Sequence, residues 1–597
     1  PASAPAARGG VAAAVLPSDA VLPSAPGAGL EETPSAYTGP LAGSINNILE
    51  YLWPRISAYA SEVMIKEVQP ALQAALPAAF RGARFDPNRC SLGTKPIEFR
   101  RVHIEKETQV TSGGEIENLV FQARVEWLAD CSVVLQVAGA SLGISGLSFH
   151  GVLVLKLVGL MDRPPFFQGI RVFFNNPLAL DLCFQGAGKG VLNQGIIRQK
   201  IMDIIGDGIN ARMVLPYRMG YTIVPEADIF MIKSPPAQGM LFLTVWTAKG
   251  LLAMDTNCYS ASSDPYVSLR VGAYYFRSKT VYSSLSPDFG FHVVVPISDA
   301  AHQRVLLELR DEDMLKADDF LGCLSLPVDA MTRWDPQKKV ELSLLNEIRE
   351  KGGNGSVCLS AAWRPLLLDP SGNCGGGAGL VFAGVYSASR LPAVEDGTQF
   401  WVTVRCTGLM EGFSEEARLT DPLLPEGVEE PKDQEASAKE GSLEAAVLRS
   451  KLQILRKRGL TEEEMAQVLD LDVEKLRKSL LAHSETRAAA SIAKGFEIPQ
   501  GSCARWENGF EFPVDRIDQA ELFFELRCQA PKSAARLLGT YTFPVSALSA
   551  CQNCTAVRSV SVPGTCAFLK LRLQYRHLGD ATSIPERQPT QSRQADR

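Results

Sequence analysis

The chain lacks the features that mark several functional classes. No stretch supplies the roughly twenty consecutive apolar residues of a membrane-spanning helix. The most hydrophobic region, residues 131 to 160, is broken by His150, Lys156 and several glycines. A surplus of positive charge is also missing. With 60 Lys and Arg against 66 Asp and Glu, the formal net charge is -6, which argues against bulk nucleic-acid binding. Thirteen cysteines are scattered along the chain, and Cys551 and Cys554 form a CxxC with no second pair to complete a zinc site. The pattern reads as reduced, cytosol-facing thiols. Gly139, Ser141 and Gly143 fit the GxSxG of a hydrolase. That elbow needs strand, turn and helix, yet the strand-like VLVLKLVGL follows Ser141, and the six histidines show no arrangement pointing back to it. GAGKG at 186 to 190 lacks the spaced first glycine and the Ser or Thr of a phosphate-binding loop, and reads as a turn. The chain is read as non-enzymatic.

At 597 residues the length suggests about four domain-sized units, and 46% hydrophobic with 21% charged residues is ordinary for globular protein. Residues 1–39 are Ala, Pro, Gly and Ser, a disordered leader; the start at Pro1 leaves an upstream anchor or signal open. A helix is expected from Ser44, with Ile45, Ile48, Leu49 and Leu52 on one stripe, and Pro54 kinks or restarts it toward Tyr59, Val63 and Met64. Alternating strands follow. Leu119, Phe121, Ala123, Val125 and Trp127 form one face against Val120, Gln122, Arg124 and Glu126 on the other. Leu147, Phe149, Leu153, Leu155 and Leu157 form a second apolar face, and Leu178, Leu180, Leu182 and Phe184 a third. Only two helical segments, near 44 to 76 and 190 to 212, are on hand to cover them. Either the sheet closes on itself or an apolar groove remains.

Further on, AMDTNCYSASSDPYVSL and LRDEDMLKADDFLG hold Asp255, Asp264, Asp311, Asp313 and Asp319. Each run follows a strand-like segment, MLFLTVWTA and RVLLELR, so antiparallel pairing can bring both loops to one rim of a β-sandwich. Five carboxylates there would repel one another when empty and suit a hard divalent cation, calcium above all. Arg270, Arg277 and Lys279 on the adjoining strand are candidates to attract phosphoinositide. An internal repeat begins after the Gly-rich linker 366–378. GMLFLTVWTAKGL at 239–251 matches GLVFAGVYSASRL at 379–391, and FGFHVVVP at 289–296 matches WENGFEFP at 506–513. In the second copy Cys528, Ala530 and Arg536 stand where Asp311, Asp313 and Asp319 stand in the first, which argues against calcium there. Residues 409–503 read as an insertion in a surface loop. It is acidic first and then helical, with Thr461 and Glu464 as a capping box after Gly459. A partner-binding helical hairpin suits it better than DNA binding.

SSDPYVSLRV followed by LRDEDMLKADDFLG resembles the calcium-binding rim of a C2 domain, which implies that Asp255, Asp264, Asp311, Asp313 and Asp319 are the ligands. Loop one is longer than usual around Asp255, and Asp318 is the alternative to Asp319. SINNILEYLWPRISAYASEVM, LGTKPIEFRRVHI, LSFHGVLVLKLVGL, RPPFFQGIRVFFNNPLALDLCFQGAG and VLPYRMGYTIVP resemble an SMP domain over about residues 40–232. The order SMP then C2 is similar to that of the extended synaptotagmins, the tricalbins and the plant synaptotagmins. The resemblance implies a multidomain, mainly β chain: an α+β SMP lipid-binding half-barrel at 40–232, then a C2 β-sandwich with a calcium site at 239–365. A second C2 β-sandwich without one, at 379–408 and 504–578, is split by the helical insertion, and the tail 579–597 is disordered. The implied function is calcium-responsive lipid transfer and tethering on the cytosolic face of membranes, at contacts between endoplasmic reticulum and plasma membrane. Implied partners are glycerophospholipids along Leu153, Leu155, Leu180 and Leu182, an anionic membrane surface, and a second copy through the SMP region. The alternatives are a calcium-dependent membrane adaptor without lipid transfer, and a lipid hydrolase using Ser141.

Overall fold

The computed structural model describes residues 40–75, 82–111, 114–137, 140–185, 194–257, 260–313, 318–346, 351–367, 377–392, 394–395, 397–413, 417–425, 502–531 and 533–579. The leader, the GAGKG turn, most of the 366–378 linker, the helical part of the insertion and the tail after 579 lie outside them. Among the described residues no helix is long and apolar enough to cross a membrane.

The first unit opens with α1 (Pro40–Val63), a π-helical turn (Met64–Val68) and α2 (Gln69–Ala75). The helix starts earlier than Ser44, because proline at the first helical position already has the required φ. It also continues unbroken through Pro54, where a kink or a restart was expected. Tertiary packing outweighs the lost hydrogen bond there: neighbouring Trp53 is 3% exposed, donates Nε1–H to the Gly93 carbonyl at 3.0 Å and meets Trp127 edge-on at 5.4 Å.

Eight strands follow: β1 (Arg84–Ser91), β2 (Glu98–Thr111), β3 (Gly114–Ala129), β4 (Ser132–Val137), β5 (Ala140–Leu160), β6 (Phe167–Phe174), β7 (Ala179–Gln185) and, after α3 (Gln194–Met213), β8 (Met219–Thr222). The 21-residue β5 is the spine. Its registers put β4 and then β3 along one edge, and β7 and then β6 along the other. β1 and β2 extend the first edge and β8 the second, giving a long half-barrel sheet. Ser141 lies within β5 opposite Gln136, so it sits on no strand–turn–helix elbow.

Cover on this sheet is uneven. At one end α2 and α3 bring Leu72, Ile201, Ile204 and Ile205 over Phe85, Val133, Leu135 and Ile144. On the reverse face Val120, Val154 and Phe173 are buried with Leu215, although the sequence pattern assigned Val120 to the polar side. That face also buries Asn118, Lys156 and Arg171. Lys156 Nζ reaches both Glu107 oxygens, at 2.8 and 2.9 Å, and Asn118 links Glu107 to the Gly159 amide. Charge in the strand is thus satisfied behind the sheet, away from the leucines.

A short helix, α4 (Ile229–Lys233), leads to the first sandwich: β9 (Gly239–Lys249), β10 (Asp255–Asn257), β11 (Ser260–Ser262), β12 (Pro265–Val271), β13 (Tyr274–Arg277), β14 (Asp288–Ile297), β15 (Arg304–Asp311), β16 (Asp319–Pro327), β17 (Val340–Leu345) and β18 (Lys351–Leu367). The layer β14-β9-β18-β17 packs on the layer β13-β12-β15-β16. The second comprises β19 (Gly379–Leu391), β20 (Gln399–Cys406), β21 (Arg418–Leu419), β22 (Ser502–Val514), β23 (Glu521–Gln529), β24 (Arg536–Pro544), β25 (Thr555–Ser561) and β26 (Phe568–Leu578). Its layers are β22-β19-β26-β25 and β21-β20-β23-β24. Strand pairing continues past residue 409, through Thr403↔Leu419 and the Phe400↔Leu423 bridge. The early part of the presumed insertion therefore belongs to the sandwich. β18 and β26 pair directly and join the two sandwiches. Nine described cysteines are free thiols, whereas Cys554 is disulfide-bonded, so the reduced-thiol expectation fails at that position.

The first sandwich meets the reverse face of the half-barrel at His302. Its ring bonds Asp299 at 2.9 Å, its Nε2 lies 3.4 Å from Gln122 Nε2, and its carbonyl accepts from Asn176. The bond to Asp299 raises the His302 pKa against the opposing effect of burial. This stabilisation is present below the unfolded imidazole's pKa, about 6.5, and is lost as pH rises through the raised folded value. Melting temperature is expected to fall across that window, and His302→Gln to flatten the slope; scanning fluorimetry from pH 5.5 to 8.5 checks it.

Candidate functional site

Register, which sets the face each side chain occupies, decides which apolar groups stand together. Ile104 pairs Phe121, Phe121 pairs Leu155 and Leu155 pairs Val172; one step along, Leu119, Leu157 and Ile170 align. All seven are half-buried or exposed, with Ile104 45% exposed. None of the seven belongs to the buried clusters that close the other end of the sheet. They form a partly exposed apolar strip along one face of the curled sheet.

The four predicted lipid contacts divide along it. Leu155 lies in the open half. Leu153 packs toward the cluster of Val125, Phe174 and Val214, and Leu180 lies under α3, 3.5 Å from where a Cβ on Gly206 would stand. Leu182 pairs Leu147 across β5 and β7, and its side chain lies outside the described residues. Sequence reading missed Ile104, Ile170 and Val172, because period-two alternation in separate strands does not say which strands become neighbours.

The aspartate rim is assembled by strand ends. Asp264 immediately precedes β12, Pro265 pairs Asp311 at the end of β15, and Asp311 pairs Asp319 at the start of β16. Asp255 lies in the β10–β11 hairpin opposite Ser262, and its side chain lies outside the described residues. Within the rim, carboxylates accept from backbone amides: Asp311 Oδ1 from Asp264, and Asp264 Oδ1 from Ser283 at 2.8 Å. Asp318 accepts from the Asp313 amide at 3.1 Å and from the Tyr266 hydroxyl at 2.7 Å. Burial and that bond to Asp318 push the Tyr266 phenol well above its usual range. Both Asp318 oxygens are thereby engaged in shaping the loop. In this conformation no three described His, Cys, Asp or Glu side chains converge on one metal position. In kind the donor set fits calcium, since every group is a carboxylate oxygen on one rim.

The predicted cations differ from one another. Arg277 pairs with Glu312 at 2.6 Å and stacks 3.7 Å from the Tyr266 ring centroid. Arg270 lies over Tyr275 and 3.8 Å from Asp207 of α3. Lys279 is exposed. In the second sandwich Cys528 pairs Arg536 in the register at which Asp311 pairs Asp319 in the first. The corresponding rim holds a thiol and a cation.

Residues 239–343 match the C2 domain family. The chain is 28% identical over 333 residues to human extended synaptotagmin-1, covering 54% of this chain and 28% of that protein. It is 25% identical over 369 residues to extended synaptotagmin-3 of Xenopus tropicalis, covering 58% and 38%, and 24% identical over 332 residues to human extended synaptotagmin-2, covering 55% and 34%. The chain thus spans well under half the length of these relatives. A solved structure of the SMP, C2A and C2B domains of extended synaptotagmin-2 aligns over 90% of this chain and 99% of that one, with 16% identity and a TM-score of 0.49. By fold the protein is a mainly β chain with a curled half-barrel sheet, a C2 domain and a second β-sandwich. It is similar to the extended synaptotagmins, at low identity.

Asp318 and Asp319 are separable by experiment. Asp318→Ala removes the acceptor for the Asp313 amide and the Tyr266 hydroxyl. Hydrogen exchange at Asp313 is expected to accelerate and stability to drop by about 1 kcal/mol, whereas Asp319→Asn leaves that amide's protection unchanged.

Proposed function

We propose that the chain is a non-enzymatic carrier of glycerophospholipid that docks on anionic membrane under calcium control, at contacts between endoplasmic reticulum and plasma membrane. The observation that carries the reading is the partly exposed apolar strip of Phe121, Leu155, Leu157, Ile170 and Val172, on a sheet whose reverse face is buried around Val120, Val154 and Phe173. Acyl chains are the natural cover. At about 0.8 kcal/mol per CH₂, exposing two chains of some sixteen carbons to water costs on the order of 25 kcal/mol, so a continuous apolar path lowers the barrier to moving a lipid.

Docking falls to the first sandwich. Asp264, Asp311, Asp313 and Asp319, with Asp255 from loop one, would hold calcium, while Tyr266 and Asp318 hold the loop in shape. When bound, calcium supplies a bridge between the aspartates and anionic headgroups in place of repulsion. Lys279 is the cation best exposed to a phosphoinositide, with Arg277 and Arg270 on the same hairpin face. A second copy of the chain is the proposed partner of α1, whose Ile48, Tyr51 and Tyr59 are 59%, 82% and 69% exposed.

The carrier reading is tested by Leu155→Trp. In an open strip the added volume blocks the path without strain, so transfer of fluorescent lipid between liposomes should fall while melting temperature holds. In a closed core the same change would cost roughly 1 to 3 kcal/mol in stability, and transfer unchanged at normal melting temperature would favour the adaptor reading. Calcium control is tested by Asp311→Asn with Asp313→Asn. Sedimentation with phosphatidylserine liposomes should need calcium in the parent and be lost in the variant; equal binding in chelator would contradict it.

A further inference from the structure

The second sandwich carries a feature that its internal repeat makes legible. In the first sandwich Thr244 of β9 pairs His292 of β14, and their side chains bond at 3.0 Å. At the corresponding register of the second, Gly384 of β19 pairs Gly509 of β22. Side chains are missing from both strands at one spot, which leaves a notch in the outer face of the layer.

Phe230 of α4 fills it. Its ring lies 5.6 Å from Phe382 and 4.4 Å from Tyr386, centroid to centroid, and it is 1% exposed. A Cβ on Gly384 would stand 2.7 Å from Phe230 Cζ, and one on Gly509 would stand 2.6 Å from Phe382 and 2.8 Å from Ser234. Neither position tolerates a side chain while α4 is docked. Polar contacts flank the ring on both sides. Asp228 caps α4 through the Phe230 amide and pairs with Arg572. Lys233 pairs with Glu507 at 3.1 Å, and Glu511 Oε1 accepts from the Ala237 amide at 2.9 Å. On its other side α4 holds the half-barrel: Ile232 packs against Gly169 and Gly220 behind the sheet, and the Met231 carbonyl accepts from Arg171.

We propose that the β19–β22 face of the second sandwich is a receptor for the chain's own segment 228–237. It grips an aromatic plug flanked by an acidic and a basic side chain, and through α4 fixes the half-barrel's open strip relative to the aspartate rim. The sandwich that lost its rim carboxylates thereby has a role of its own. Because 228–237 links the half-barrel to the first sandwich, gripping it removes the freedom of a bare linker. This inference does not depend on lipid or calcium.

The test is hydrogen exchange and small-angle scattering on the full chain. Gly384→Thr restores the residue of the first copy and fills the notch; Phe230→Ala removes the plug without touching the sandwich. Either change should accelerate exchange of the Ile232, Ser234 and Ala237 amides about tenfold, enlarge the radius of gyration, and leave β20 and β23 protected. Should Gly384→Thr fail to fold, Phe230→Ala alone decides. Unchanged protection of those amides and an unchanged radius in the folded variants would overturn the proposal.

Discussion

A sheet with two apolar faces and too little cover is the constraint on which the architecture depends. The half-barrel spends its helices at one end, where α2 and α3 close over β1, β4 and the start of β5. Its reverse face is partly closed by Leu215, α4 and the first sandwich, with Lys156 and Glu107 neutralising each other beneath it. The strip from Leu119 to Val172 joins none of these clusters and stays partly exposed. Apolar area removed from water is worth roughly 25 cal/mol per Å², so a strip of this kind favours an apolar occupant.

The two sandwiches show one scaffold put to two uses. Their layers correspond, and two of their differences fall at matched registers. Asp311 opposite Asp319 becomes Cys528 opposite Arg536, and Thr244 opposite His292 becomes Gly384 opposite Gly509. The first pair of changes removes carboxylates from a rim; the second opens a notch. A buried junction lies beside that notch. Burial raises the Glu511 pKa against the pull of the Ala237 amide and of Arg218 and Arg576, while burial lowers Arg218 to about 10. A carboxyl and guanidinium groups held this far from water tolerate little separation of the units around them.

Much of the fold was legible because its signals are local. Alternation in LVFQARVEW and VLVLKLVGL located β3 and β5, and the repeat located the second sandwich. The nearness of Asp264, Asp311 and Asp319 was legible because DPY and DED sit at strand ends that antiparallel pairing brings together. Three things were hidden. Lys156 looked like an interruption of an apolar run, and only the registers of β2, β3 and β5 show that it points behind the sheet to Glu107. Pro54 looked like a kink or a restart, and the packing of Trp53 on Trp127 helps hold the helix unbroken through it. The divided character of Leu153, Leu155 and Leu180 depends on where α3 lands, and α3 is 20 residues of weakly patterned sequence.

The central claim is that the open strip holds lipid. Native mass spectrometry of the purified full chain tests it most directly. The account predicts glycerophospholipid bound at a defined stoichiometry, absent from Leu155→Trp. A parent chain that carries no lipid after extraction from a membrane-containing lysate, or a variant that carries as much as the parent, would contradict it.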